Sequence, residues 1–456
     1  MKPLTPPDQL FLWLEKGHQP MHVGGLLLGR PPAGAPADFV QKAAENMRQW
    51  TKAEPPFDQR LVRKLGTWFW AHDEDFDVEH HFRHLALPKP GRIRELLALV
   101  SQLHAAHLDR SRPLWELYLI DGVEDGRFAI YSKIHHSLVD GVAAMRMVQR
   151  ALSTDPDERD RPPPWAVPHP KHRRERDDFG DLPLADVWGA VRTQVAAVPT
   201  IAREIMKTIR DARGRDEART SLRAPACILN QSITSSRRFA AQSYSLDRIR
   251  EVGKSFHATV NDVVLAMCAS ALRRYLQDLD ALPDKPLVAM VPLSLRRDDS
   301  AAGNQVAMIL VNLATHLDDP LERLETIQRS VQHSKERYSH MTPAEILGYT
   351  GTLLGPAGLN FLTGAAPRVQ AFNVIISNVP GPKAPLYYNG ARIEGMYPVS
   401  IVVDGQALNL TLNSYVDKLE FGVIACRRTL PSVQRMLEYL ETGLHELEAV
   451  AAVNNP

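Results

Sequence analysis

The stretch Lys133-Ile134-His135-His136-Ser137-Leu138-Val139-Asp140-Gly141 contains two adjacent histidines, an aspartate four residues after the second, and a glycine. An imidazole has an unperturbed pKa near neutrality, so it can accept a proton at working pH. A carboxylate at this spacing can orient the ring or shape the turn, and glycine permits backbone paths closed to other residues. The pair His80-His81 lacks such a carboxylate, because Leu85 occupies the equivalent position. The pattern therefore predicts a catalytic base at His136 rather than a structural histidine pair.

The segments around this stretch place it between a strand and a helix. Residues Arg127 to Ile134 read as a strand that runs directly into the histidines, and Val142 to Leu152 as a helix. Loops held by rigid elements commonly carry catalytic side chains, so this position suits chemistry.

The bulk properties exclude several classes of protein. At 456 residues the chain is too long for one compact core, so two domains or two fused halves are expected. A net charge of +1 does not indicate a nucleic-acid partner. Three scattered cysteines suit a reducing compartment and offer no disulfide framework or metal site. The N-terminus has no apolar targeting core, so a cytoplasmic protein is expected.

Composition divides the chain into three parts: a first half at residues 1–153, a linker with a crossover helix at 154–220, and a second half at 221–456. Prolines and mixed charges from Thr154 to Asp181 predict an exposed linker. Trp188 to Arg213 then reads as an amphipathic helix with a basic end. It either packs as a solvated helix or contacts an anionic membrane or a CoA phosphate.

A catalytic histidine needs a group to activate, and the obvious protein nucleophiles are missing from the sequence. There is no G-x-S-x-G elbow, no cysteine in a nucleophile setting, and no His/Cys spacing typical of a zinc site. What remains is His136 acting directly on a substrate, without an obligatory covalent intermediate. Removal of a proton from an alcohol that attacks an activated acyl group fits this requirement.

The motif His135-His136-x-x-x-Asp140-Gly141 resembles that of CoA-dependent acyltransferases with the chloramphenicol acetyltransferase-like fold. More specifically, the chain resembles the bacterial wax ester synthase/acyl-CoA:diacylglycerol acyltransferases, with matches over nearly its whole length. These matches are Asp8-Gln9 to Glu15, Met21-His22-Val23-Gly24, Pro113-Leu114-Trp115-Glu116, Thr259-Val260-Asn261-Asp262-Val263-Val264, Val291-Pro292-Leu293-Ser294-Leu295-Arg296, Gly303-Asn304-Gln305-Val306 and Ser377-Asn378-Val379-Pro380-Gly381-Pro382.

The resemblance implies an α/β fold with mixed sheets, built from two acyltransferase halves that form a pseudo-dimer with the active site at their interface. It implies transfer of a long-chain acyl group from acyl-CoA to a fatty alcohol or diacylglycerol, with no permanently bound cofactor. His136 would be the base, His135 and Gly141 would hold the loop, and Asp140 would pair structurally with an arginine, for which we expect Arg296. Asn261 would donate to the oxyanion or place its donor, although a plain helix cap explains it equally well.

Two alternatives stay open from the sequence. One is an acyltransferase of the same fold with another acceptor, such as a polyketide or an amine; the other is a non-catalytic lipid- or partner-binding module. The resemblance also implies peripheral association with the inner membrane or lipid droplets. The uncharged segment from Ile346 to Pro367 is interrupted by glycines and a proline, so we expect a packed segment, a tunnel wall or a lipid-contacting surface rather than a membrane span.

Overall fold

The computed structural model describes residues 1–64, 66–139, 141–168, 224–294, 306–339 and 370–454. The strands are β1 Lys2–Pro3, β2 His22–Arg30, β3 Gln59–Lys64, β4 Thr67–His72, β5 Phe82–Ala86, β6 Trp115–Val123, β7 Arg127–His135, β8 Arg237–Ser245, β9 Val288–Ser294, β10 Val306–Asn312, β11 Val374–Val379, β12 Tyr387–Tyr388, β13 Ala391–Val399, β14 Leu408–Tyr415 and β15 Lys418–Cys426. The helices are α1 Pro6–Leu14, α2 Phe39–Arg48, α3 Val78–His81, α4 Ile93–Ala105, α5 Gly141–Arg150, α6 Leu246–Ser255, α7 Val260–Gln277, α8 Pro320–Ser339 and α9 Arg435–Asn454.

The chain divides into two compact units. Unit 1 comprises Met1–Pro199, Ser235–Arg237 and Gly381–Ile401, and unit 2 comprises Thr200–Thr234, Arg238–Pro380 and Val402–Pro456. Each unit combines helices with a six-stranded sheet that contains both parallel and antiparallel pairs. The mixed α/β fold class predicted from the sequence is confirmed.

The sheet of unit 1 has the order β12-β13-β2-β7-β6-β5, with a separate three-stranded sheet β1-β4-β3. Strand β7 lies inside the larger sheet and pairs antiparallel with β2, with His22 opposite His135. The two strands approach closely at Gly24, where an added Cβ would lie 2.7 Å from the carbonyl oxygen of Ser132. Only glycine fits this approach, so β2 aligns the end of β7 in a fixed register.

Strand β13 belongs to unit 1, although its residues follow most of unit 2 in the chain. It pairs antiparallel with β2 and places Tyr397 opposite Leu26. The sequence assigned these residues to the second half at 221–456. Local sequence patterns did not predict that this strand joins the sheet of unit 1. Long-range pairing decides which strand covers an open sheet edge.

The segment that the sequence interpreted as an exposed linker contains residues that pack into unit 1. Trp165 is fully buried, and its indole N–H donates to the carbonyl of Trp50 at 3.0 Å. Its ring lies 5.5 Å from that of Trp115. Most residues from 154 to 160 are exposed, but Pro163, Trp165 and Ala166 are buried. The exposed-linker prediction was therefore wrong for residues 163–166, where one large aromatic side chain outweighs the surrounding prolines and charges.

The sheet of unit 2 has the order β10-β9-β11-β14-β15-β8. Helix α7 is buried at every position from Asp262 to Leu272, and its apolar residues belong to a large hydrophobic core. Helices α6, α8 and α9 contact it. A helix that is apolar around its circumference must be covered on all sides, as this one is.

Helix α1 is capped by Thr5, whose hydroxyl accepts from the backbone N–H of Asp8; the sequence alone suggested Asp8 as the cap. Thr5 precedes two prolines at the first helical positions, where a missing N–H costs nothing. Among the described residues no single helix is long and apolar enough to span a membrane; α6 and α7 together pass on length and composition but are bent by 101°.

Candidate active site

His136 occupies the turn between β7 and α5, where the sequence placed it. Its backbone N–H donates to the carbonyl of Met21 at 2.9 Å. Its ring stacks on that of Phe11, with centroids 4.0 Å apart and planes 20° apart. The residue is half-buried. Helix α1 and the segment before β2 thus fix both the backbone and the ring plane of His136.

His135 is buried at 1% exposure, and its two ring nitrogens face protein groups. The backbone N–H of Ser137 donates to its Nδ1 at 3.1 Å, and the Ser137 hydroxyl lies 2.6 Å from the same atom. Because Nδ1 accepts, the neutral ring carries its proton on Nε2. Nε2 lies 3.6 Å from Oε1 of Glu15, a distance of electrostatic attraction rather than of a short hydrogen bond.

Glu15, the residue after α1, anchors the histidine loop from behind. Its Oε2 accepts from Nε and Nη2 of Arg110 at 2.8 and 2.6 Å, and its Oε1 accepts from the backbone N–H of Met21 at 3.2 Å. Burial acts to raise the pKa of this carboxyl, but His135 and Arg110 outweigh it and lower the pKa to about 2. Glu15 is therefore a carboxylate at neutral pH. The sequence pattern included Glu15 but assigned it no role.

The Pro113–Glu116 motif lies beneath the site, as architecture. The carbonyl of Leu114 accepts from the backbone N–H of His135 at 2.9 Å. The indole N–H of buried Trp115 donates to the carbonyl of Phe57 at 2.8 Å. Glu116 forms an ion pair with buried Lys133, with 3.0 Å between Oε2 and Nζ.

Lys133 connects β7 to the end of α4. Its ammonium donates to the carbonyls of Leu103 and Ala106 at 3.2 and 2.9 Å, which are among the last carbonyls of that helix. Burial lowers the pKa of Lys133, and the Glu116 carboxylate opposes that effect. A buried ammonium with these acceptors ties the strand that carries the histidines to its neighbouring helix.

Two further histidines beside β7 are kept neutral by burial. The Nε2–H of His22 donates to the carbonyl of His104 at 2.8 Å. His104 in turn donates from Nε2 to the carbonyl of Ser400 at 2.8 Å and accepts from the Tyr131 hydroxyl at 2.7 Å. Burial lowers the pKa of His22 well below its ordinary value and that of His104 to about 3. These rings serve packing, not proton transfer at neutral pH.

The second histidine pair, His80-His81, is structural, as the lack of a carboxylate four residues later indicated. His81 is buried and stacks on Trp115, with ring centroids 4.5 Å apart. Its Nδ1 lies 2.8 Å from the carbonyl of Trp115. Burial lowers its pKa to about 4, so it stays neutral near pH 7.

Asn261 is the second residue of α7, in unit 2, and is half-buried. The helix cap is Thr259, which forms a reciprocal capping box with Asp262. The cap explanation for Asn261 was therefore wrong. Its side chain makes no hydrogen bond to any described residue.

The other predicted positions are only partly visible. Gly141 is the first residue of α5. Asp140, Arg296, Arg203–Arg213 and Ile346–Pro367 lie outside the described residues. Within the described ranges no group of three or more His, Cys, Asp or Glu side chains could hold a metal ion.

Comparison with known proteins gives matches over almost the entire chain. The profile of the wax ester synthase/diacylglycerol acyltransferase catalytic domain matches residues 4–264, and that of the WS/DGAT C-terminal domain matches residues 302–448. An O-acyltransferase WSD of Acinetobacter baylyi is 51% identical over 99% of this chain and 98% of its own length. A putative diacylglycerol O-acyltransferase of Mycobacterium tuberculosis is 47% identical, covering 98% of this chain and 99% of its own.

Solved structures agree with these matches. The wax ester synthase/diacylglycerol acyltransferase from Marinobacter aquaeolei VT8 has a TM-score of 0.84 at 53% identity, covering 99% of this chain and 100% of its own. The first condensation domain of the calcium-dependent antibiotic synthetase has a TM-score of 0.57 at 15% identity, covering 99% of this chain and 96% of its own. The second likeness is one of fold alone.

Proposed function

The chain belongs to the wax ester synthase/diacylglycerol acyltransferase family, and on that premise we propose that His136 is the general base of its reaction. The protein is an acyl-CoA-dependent O-acyltransferase that forms wax esters or triacylglycerols. The observation that carries the proposal is the difference in environment between the two adjacent histidines. His135 is buried with its ring nitrogens facing Ser137 and Glu15, whereas His136 is half-exposed on an ordered turn.

In the proposed reaction the His136 imidazole takes the proton from the hydroxyl of a fatty alcohol or diacylglycerol. The alcohol oxygen forms a bond to the thioester carbonyl carbon, and the carbonyl becomes an oxyanion. Collapse of this intermediate breaks the carbon–sulfur bond, and the imidazolium returns its proton to the departing CoA thiolate. A positioned base of this kind typically contributes about 10²–10⁴-fold in rate. No permanently bound cofactor is needed, because acyl-CoA supplies the activated acyl group.

We assign Asn261 to the oxyanion, as its donor or as the residue that places the donor. Support comes from its amide group at the second position of α7, where helix dipole and side chain both favour negative charge. Asp140 and Gly141 we assign to the shape of the histidine loop, with Arg296 as the partner of Asp140.

The test is a thiol-release assay with the purified full chain and palmitoyl-CoA, offering hexadecanol, dioleoylglycerol or hexadecylamine as acceptor. We expect free thiol, and the ester product by mass spectrometry, with the hydroxyl acceptors. Release with the amine alone would favour the alternative acceptor class. If no thiol were released with any acceptor, the remaining interpretation would be a non-catalytic binding module. Without acceptor, direct transfer predicts no acyl adduct on the intact protein.

We also propose peripheral association with the inner membrane or lipid droplets, because the acceptors are insoluble in water. Helix α1 supports this, since it exposes Leu10 at 43% and Trp13 at 58% while Phe11 of the same helix contacts His136. Leucine and tryptophan three residues apart lie on one side of a helix and suit the membrane interface.

A further inference from the structure

A cavity of about 390 Å³ opens at the junction of α6 and α7, entirely within unit 2. Its size falls in the range of small-molecule sites. Apolar walls alternate with nitrogen-bearing side chains, which gives the cavity a basic lining. The lining residues are Arg250, Gly253, Lys254, His257, Ala258 and Val260.

Two like charges lie on the same side of α6. Arg250 and Lys254 are four residues apart, a spacing that brings like charges together and slightly destabilises an isolated helix. Arg250 contacts Asp247 at 3.0 Å, but the two side chains are 52% and 70% exposed, so the pair neutralises little. Lys254 forms no ion pair with a described residue. The cavity therefore keeps a net positive wall.

A structural role for Lys254 at the end of α6 is the simplest competing explanation, since a cation in the last turn favours the helix dipole. The carbonyls at this end of the helix already accept hydrogen bonds from backbone N–H groups. Gly253 accepts from the N–H of Ala258 at 2.8 Å, and Lys254 from that of His257 at 3.4 Å. The ammonium is thus not required as a cap for them.

The turn that shapes the cavity has a strained residue. His257 has a φ of 50°, in the left-handed region where glycine is usual after a helix. The turn is also tightly packed, since a Cβ on Gly253 would lie 2.8 Å from the carbonyl oxygen of Ala258. An imidazole is therefore held at a backbone position that usually favours glycine, which has no side chain. The imidazole faces the same cavity as the two cations.

We propose that this cavity is a phosphate site that binds the 3′-phosphoadenosine end of acyl-CoA, with Arg250, Lys254 and His257 as donors. The inference rests on the proposed function, in which acyl-CoA is the one reactant that carries phosphates. Cationic side chains and N–H donors are what a phosphate requires.

The first experiment measures binding without turnover, by calorimetry of the full chain with CoA and with dephospho-CoA, which lacks the 3′-phosphate. Wild type should bind CoA about 10-fold more tightly than dephospho-CoA. Arg250→Ala and Lys254→Ala should each remove most of this preference and leave dephospho-CoA affinity nearly unchanged. The matched control is Lys285→Ala, an exposed lysine of unit 2 that does not line the cavity. Unchanged discrimination in both cavity variants would overturn the proposal.

Turnover and lipid binding separate the remaining outcomes. With palmitoyl-CoA, Lys254→Ala should raise KM about 10-fold and leave kcat within about twofold, because the cations act on binding and not on the reacting atoms. The second phosphate source is a lipid headgroup, tested with vesicles containing phosphatidylglycerol. Loss of vesicle binding with unchanged CoA affinity would overturn the coenzyme assignment. If wild type bound CoA as predicted but released no thiol, the proposed function would fail and the phosphate site would stand.

Discussion

Glu15 contacts both adjacent histidines, His135 through its side chain and His136 through the backbone of Met21. It faces Nε2 of His135, accepts from Arg110 and holds the backbone of Met21, whose carbonyl in turn accepts from His136. One carboxylate thus orients the buried histidine directly and the proposed base through the backbone. Its effect on catalysis would be through position, because its buried carboxylate contacts His135, Arg110 and the Met21 backbone.

The Glu15→Gln variant tests this positioning role. We expect kcat to fall by roughly 10- to 100-fold, as for carboxylates that orient histidines at metal sites, with KM for acyl-CoA little changed. Steady-state kinetics with palmitoyl-CoA and hexadecanol measure both. A wild-type kcat would show that His135 and the loop need no carboxylate behind them.

Glu15 also predicts a pH dependence of stability. Its pKa is about 2 in the folded chain and near 4.5 when unfolded, so the unfolded state binds the proton more readily. Its contribution, on the order of 3 kcal/mol, is fully present above about pH 5 and is lost as the pH falls toward 2. Urea unfolding of wild type and Glu15→Gln should give a constant difference above pH 5 that shrinks below it. A difference independent of pH would contradict the assignment.

At this scale the sequence predicted the two histidines but not their support. The residue types and spacing of His135, His136 and Asp140 are local, so they were visible in one stretch. The contact between Glu15 and His135 joins positions far apart in the chain and depends on how α1 meets β7. The burial of Trp165 was missed for the same reason.

The N-terminus of helix α7 carries two nearby residues with different expected roles, Thr259 in stability and Asn261 in catalysis. Thr259 caps the helix, and its removal should cost about 1 kcal/mol of unfolding free energy with little effect on kcat. Asn261→Ala should do the reverse, lowering kcat by about 10²–10³-fold if its amide serves the oxyanion. Thermal unfolding and kinetics on the two variants distinguish these roles. An Asn261→Ala protein with normal kcat would remove the oxyanion assignment.

Strand β7 depends on one buried cation for its connection to α4. In Lys133→Met the buried Glu116 carboxylate loses its nearest cation and keeps only the Tyr118 hydroxyl and the more distant Arg83, so we expect a loss of about 3 kcal/mol in unfolding free energy. The double variant Lys133→Met/Glu116→Gln should lose less than the single one, because no unpaired charge remains. Urea unfolding measures both. Equal losses would mean that the helix carbonyls, and not the ion pair, determine the stability.

The element boundaries were largely predictable. Strand β7 was predicted from Arg127 to Ile134 and is found at Arg127–His135, and α5 was predicted from Val142 to Leu152 and is found at Gly141–Arg150. Apolar periodicity and cap residues specify these ends locally. Which strands pair was not predictable, since the pairing of β13 with β2 crosses more than half of the chain.

For the whole molecule, the proposed membrane contact predicts a hydrophobic mode of binding through α1. The Leu10→Ser/Trp13→Ser variant should lose flotation with liposomes at both low and high salt, because apolar insertion is not screened by ions. Leu279→Ser, an equally exposed leucine of unit 2, is the control and should float normally. Flotation that disappears only at high salt would point to basic residues instead.

The most direct test of the central claim is the rate of CoA thiol release from palmitoyl-CoA and hexadecanol by His136→Ala, measured beside His80→Ala from the second histidine pair. We expect His136→Ala to unfold at the wild-type temperature and to lose about 10²–10⁴-fold in kcat, with His80→Ala unaffected. A folded His136→Ala protein that releases thiol at the wild-type rate would contradict the assignment of the base.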